Sequence, residues 1–115
     1  MIGWQPACRL EQLPVDRGVA ALLQGQQVAL FRLGNGELRA ISNQDPFSGA
    51  MVLARGIVGS RGDAPTVTSP MYKQPFDLRT GQCLDDPNVA VASYPIRVNN
   101  GVVEVAISYA QQQPA

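Results

Sequence analysis

The sequence predicts an all-β fold. Three observations carry that expectation: short apolar runs broken by turn residues, glycine-containing dipeptides between those runs, and no segment holding a helical period for the roughly 10 to 12 residues that a stable helix needs. The first run, Ile2 to Arg9, reads as a strand, followed by Leu13-Pro14-Val15 and a turn at Asp16-Arg17-Gly18. Val19 to Leu23 and Gln27 to Leu33 flank Gln24-Gly25 and read as a hairpin. Asn35-Gly36, a pair that tolerates positive φ, predicts a type I′ turn joining Val28–Leu33 to Leu38–Ile41. Asn99-Asn100-Gly101 predicts the same between Tyr94–Val98 and Val102–Ile107, where Val103, Val105 and Ile107 alternate with Glu104 and Ala106 as in a half-buried strand. The section from Asn43 to Pro87 differs: it holds five of the nine prolines and reads as loops carried on a β-scaffold. The glutamine-rich end, Ala110 to Ala115, is expected to fray.

A chain of 115 residues can close one hydrophobic core but not two substantial ones, so a single domain over 1–109 is expected, with 43–87 as a smaller subdomain and 110–115 as a tail. Nine basic residues balance nine acidic ones, which leaves no long-range field to gather nucleic acid or an anionic membrane surface. No apolar run approaches the roughly 20 residues of a membrane helix, and no leader pattern opens the chain, so a soluble, cytoplasmic protein is expected. Cys8 and Cys83 are too far apart in sequence to form a clustered ligand set; two unpaired, buried thiols are expected, with a disulfide left open. Histidine is absent altogether. That removes a histidine zinc site, a Ser-His-Asp triad, a haem-proximal ligand and any cluster held by imidazoles.

The most informative stretch runs from Ser69-Pro70-Met71-Tyr72-Lys73-Gln74 through Pro75-Phe76-Asp77-Leu78 to Thr80-Gly81-Gln82-Cys83-Leu84. It resembles the second cluster-binding segment of Rieske domains, in which a Cys-x-x-His loop runs into a Phe-Asp-Leu strand and a Thr-Gly turn. Asn43-Gln44-Asp45-Pro46-Phe47-Ser48-Gly49-Ala50 stands in the place of the first, Cys-x-His, segment. Carried across, the resemblance puts Asp45 and Ser69 at the two cysteine positions and Phe47 and Tyr72 at the two histidine positions. A Rieske centre needs two thiolates on one iron and two neutral imidazoles on the other, and these four side chains cannot supply them. The rest of the pattern, from Trp4 and Leu13-Pro14 to Tyr94-Pro95-Ile96-Arg97-Val98 and Gly101-Val102-Val103, is intact over about residues 3 to 108.

Asp45-Pro46-Phe47-Ser48-Gly49-Ala50, Leu53-Ala54-Arg55-Gly56-Ile57-Val58-Gly59 and Ser69 to Gln74 resemble the family of assimilatory NAD(P)H nitrite reductase small subunits. The resemblance implies a Rieske-type antiparallel β-sandwich with a loop-rich subdomain and no cofactor in this chain. It also implies a large partner subunit carrying FAD, a four-iron cluster and sirohaem that reduces nitrite to ammonia. The expected role is therefore non-catalytic, with Phe47, Met71, Tyr72 and Lys73 as candidate partner-binding residues. Phe47 is expected to plug the vacated pocket, the alternative being an exposed anchor; for Tyr72 both roles stay open. A different class of reading is a free-standing interaction or regulatory module on the same scaffold, which co-purification with the large subunit would discriminate.

The remaining motifs carry plain readings. Arg61-Gly62-Asp63 reads as a chance triplet, and Gly56-x-x-Gly59-x-x-Gly62 precedes no helix and reads as turn geometry. Asp85-Asp86 are neighbours that point apart on extended chain and read as a solvated loop. Cys83 has no imidazole to activate it and reads as a small core residue.

Overall fold

The computed structural model describes residues 2–108, so the predicted tail from Ala110 lies outside the described residues. Ten strands are present: β1 (Ile2–Arg9), β2 (Gly18–Leu23), β3 (Gln26–Arg32), β4 (Leu38–Ser42), β5 (Ile57–Arg61), β6 (Ala64–Thr68), β7 (Pro75–Asp77), β8 (Ser93–Tyr94), β9 (Ile96–Asn99) and β10 (Val102–Ser108). Two single 3-10 turns, Leu10–Gln12 and Leu53–Arg55, interrupt them, and the described residues hold no α-helix. The strands form three antiparallel sheets: a terminal sheet ordered β1-β10-β9, a central sheet ordered β2-β3-β4-β8, and a middle-section sheet ordered β5-β6-β7.

The central sheet is buried on both faces because β3 is apolar at successive positions. Val28, Ala29, Leu30 and Phe31 are all shut off from solvent. Side chains alternate along a strand, so Val28 and Leu30 join Leu13, Tyr94, Val103 and Val105 on the side of the terminal sheet. Ala29 and Phe31 join Leu53, Val67, Phe76, Leu78 and Cys83 on the other side. Cys8 packs against the first of these cores and Cys83 sits within the second, and both thiols are free. Cys8 is half-buried, less enclosed than expected, and burial pushes its thiol pKa up.

Turn chemistry sets the register. Gln24 and Gly25 (φ 52° and 78°) and Asn100 and Gly101 (φ 52° and 80°) give the two-residue reversals of positive φ that match strand twist. Asn35-Gly36 departs from its prediction. Only Gly36 has positive φ (92°), and its N–H donates to the Leu33 carbonyl at 2.9 Å, closing a turn centred on Gly34 and Asn35. The preceding glycine lengthens the loop, so Gly36 takes the left-handed position after the turn and not a place within it. Tyr94 to Val98 is likewise two strands and not one, split at Pro95, which has no N–H for the ladder. The middle section, read as loops carried on a β-scaffold with one Phe-Asp-Leu strand, holds a three-stranded sheet of its own.

Candidate functional site

Two six-residue loops of the middle section share one backbone design. Asp45 N–H donates to the Ala50 carbonyl at 2.8 Å while the Asp45 carbonyl accepts from Gly49 N–H at 2.7 Å. Ser69 N–H donates to the Gln74 carbonyl at 2.9 Å while the Ser69 carbonyl accepts from Lys73 N–H at 3.0 Å. In each, the fifth residue is left-handed: Gly49 at φ 80° and Lys73 at φ 61°. Asp77 to Gln82 repeats the pattern, with Gly81 at φ 83°. Each loop's first side chain also accepts from the backbone two residues on, at 2.8 Å for Asp45 Oδ1 with Phe47 N–H, 3.2 Å for Ser69 Oγ with Met71 N–H and 2.8 Å for Asp77 Oδ1 with Arg79 N–H. Aspartate and serine thus serve these positions because they can accept from nearby N–H groups.

Asp45 and Ser69 are fully buried, and the Ser69 hydroxyl donates to Asp45 Oδ2, so one hydrogen bond ties the first loop to the second. Ser48 N–H adds a longer bond to Asp45 Oδ1 at 3.4 Å. A buried carboxylate is tolerated only when its lone pairs are occupied, and three donors meet this one. Phe47 and Tyr72 lie outside that pair. Phe47 is 36% exposed, its ring tilted 49° to the buried Phe76 ring at a centroid distance of 6.3 Å. Tyr72 is 59% exposed and therefore fills no pocket in the isolated chain; Met71 and Lys73 are exposed beside it. The four side chains do not fit a Rieske cluster: neither thiolate nor imidazole is among them, and the inner two are hydrogen-bonded to each other. Among the described residues no group of three or more potential metal ligands converges, and no helix is long and apolar enough to cross a membrane.

A groove of about 470 Å³ opens beside the first loop, lined by Leu22, Gln26, Gln44, Pro46, Met51 and Tyr94, with no charged residue in its wall. Tyr94, its phenol pKa raised by burial, donates to Gln26 Oε1 at 2.8 Å. The sequence pattern did not mark this groove, because its wall is gathered from three separated segments.

Of the three spaced glycines expected to be turn geometry, only Gly62 is: Gly59 lies within β5. Gly62 (φ 60°) forms the β5–β6 turn, Arg61 pairs with exposed Asp85 at 2.8 Å, and Asp86 Oδ1 accepts from Asn88 N–H at 3.0 Å. A side chain at Gly56 would collide with the Thr68 carbonyl, its Cβ only 2.5 Å away, so this glycine serves close strand approach.

Comparison with known proteins places these observations. The model of the Rieske-like [2Fe-2S] domain family matches residues 3–106. The NADH nitrite reductase small subunit of Salmonella typhimurium is 41% identical over 106 residues, covering 91% of this chain and 98% of that protein. The NAD(P)H nitrite reductase large subunit of Klebsiella oxytoca is 43% identical over 102 residues, which are 89% of this chain and 11% of that protein. This chain thus spans about a tenth of that relative's length. A crystal structure of a candidate NADH-dependent nitrite reductase small subunit from Mycobacterium tuberculosis superposes with a TM-score of 0.90 at 51% identity, covering 94% of this chain and 97% of that one.

Proposed function

Because the chain belongs to the Rieske-like domain family, among its NAD(P)H nitrite reductase small subunits, we propose that it is the cluster-free, non-catalytic partner of a large subunit. On this reading the large subunit, carrying FAD, a four-iron cluster and sirohaem, reduces nitrite to ammonia in the cytoplasm for assimilation. This chain contributes binding and orientation. One observation carries the proposal: at the two thiolate positions stand a buried carboxylate and a hydroxyl that satisfy each other. A side-chain pair closed by its own hydrogen bond offers nothing soft enough to hold iron, and no histidine exists in the chain to complete the other half.

The Klebsiella relationship supports the partner assignment, since a domain like this one is part of a single polypeptide with a large subunit there. Anaerobic expression followed by iron analysis and visible spectroscopy tests the cofactor claim. The expected protein is colourless, iron-free and unchanged in melting temperature by chelator, whereas stoichiometric iron with Rieske-type absorption refutes it. Co-expression with the large subunit tests the partner claim. Failure to co-purify favours the free-standing interaction module.

A further inference from the structure

We propose that the two loops and the adjoining groove form one continuous docking strip for the large subunit, running from Tyr72 across Phe47 and Met51 to Leu22. The inference rests on the proposed function above and extends it to a surface. Its continuity follows from the fold. Pro46 and Met51 wall the groove, while Phe47, next in sequence to Pro46, packs near Phe76, two residues past the end of the second loop. The Asp45–Ser69 bond holds the loops side by side, so the first loop lies between groove and second loop. Leu22 closes the far side, 70% exposed.

Composition marks this strip as different from the remaining surface. Both methionines beyond Met1 lie in it, with two exposed aromatic rings. Nine acidic and nine basic residues are spread over the chain, yet the groove wall holds none, and the two loops contribute only the exposed Lys73 and the buried Asp45. Loss of charge with gain of Met and aromatic side chains is the mark of an interface core. Trp4, exposed elsewhere on the surface, already has a partner in the Arg97 guanidinium, 3.9 Å from its ring centroid. The occupant is taken to be the large subunit, because in Klebsiella oxytoca a domain like this one is covalently part of that chain and meets its other parts at high effective concentration.

The experiment measures calorimetric affinity of the full chain for the purified large subunit, with sedimentation of the chain alone. Tyr72→Ala should weaken binding by about 30-fold and Leu22→Ser by about tenfold, with melting temperatures near wild type because both side chains are exposed. Val98→Ser, an exposed site on β9 outside the strip, should change affinity by less than about twofold. Wild-type binding that neither strip variant weakens overturns the strip and leaves the proposed function standing. Absence of wild-type binding overturns both. A chain that dimerises through the strip, with large-subunit affinity unmoved by the same variants, makes a second copy the occupant and also overturns the proposal.

Discussion

On one face of the central sheet the core is mainly hydrocarbon packed on hydrocarbon, Leu13, Leu30, Val103 and Val105 among them, joined by the phenol of Tyr94, which donates to Gln26. On the other, Phe31, Leu53, Phe76 and Leu78 make a similar core, but beyond it the loops close over a carboxylate and a hydroxyl that water cannot reach. The two faces should fail differently. Apolar packing weakens in proportion to the carbon removed and the cavity left, whereas a buried polar pair is sound only while complete. The terminal face gives the domain a foundation; the loop face fixes one arrangement of two exposed segments.

The largest expected effect follows from that contrast. Asp45→Ala leaves the Ser69 hydroxyl and two backbone N–H groups without their acceptor, and should cost about 3 kcal/mol in urea denaturation. Leu30→Ala should cost a similar amount, about 3 kcal/mol, by cavity formation alone. Adding Ser69→Ala separates the mechanisms. It removes the orphaned hydroxyl, so the double variant should be less destabilised than the sum of the singles, with a coupling of about 1 to 2 kcal/mol. Strict additivity would mean that the two side chains do not support each other.

Sequence reasoning reached the two faces unequally, for physical reasons. The terminal and central strands declare themselves because Val28 to Phe31 is continuously apolar and Val103, Val105 and Ile107 alternate, and because Asn100-Gly101 needs no tertiary help to turn. The middle sheet was hidden by its composition. β6 holds Pro65 although it lies between β5 and β7, a position where proline argues against a strand. It survives because the Pro65 carbonyl still accepts from Leu78 N–H at 2.8 Å. Asp45 and Ser69 lie 24 positions apart, and no local period connects them; family resemblance alone brought both into view. Resemblance could not say that they bond to each other, nor that Tyr72 stands in solvent while Phe47 is half covered.

A smaller effect probes the link between the regions. Glu37, after the β3–β4 turn, accepts from Arg79 at 3.1 Å, and Arg79 belongs to the Asp77–Gln82 loop of the middle section. Hydrogen bonds from Arg79, then from Arg39 and Asn35, lower the Glu37 pKa from 4.5 to about 2. A carboxylate held below its ordinary pKa adds stability above that ordinary value, and the contribution disappears as pH falls through the folded one. Acid titration of the melting temperature should therefore show a loss between pH 4.5 and about 2 that Glu37→Gln diminishes. Because the pair is largely solvated, salt should blunt the difference. A wild-type-like acid slope in Glu37→Gln would remove the ion pair as the connection.

The smallest effect concerns Lys73 and sharpens the comparison within the loop face itself. Three loops share one hydrogen-bond pattern, and glycine fills the left-handed position in two of them, Gly49 and Gly81, while Lys73 fills it in the third at φ 61°. A side chain there costs about 1 to 2 kcal/mol in backbone strain, and replacing it by glycine raises the entropy of the unfolded chain by roughly half that. Lys73→Gly should therefore leave stability unchanged or raise it by about 0.5 kcal/mol, measured by urea denaturation. Gly49→Ala should move the other way by about 1 kcal/mol although open space surrounds its Cβ, because the strain is conformational and not steric crowding. If Lys73→Gly is neutral in stability yet weakens binding to the large subunit, the lysine is present for the partner and the fold tolerates its strain. A fall of more than about 1 kcal/mol in Lys73→Gly would show instead that the lysine side chain holds the second loop together, and would return this position from the docking strip to the scaffold.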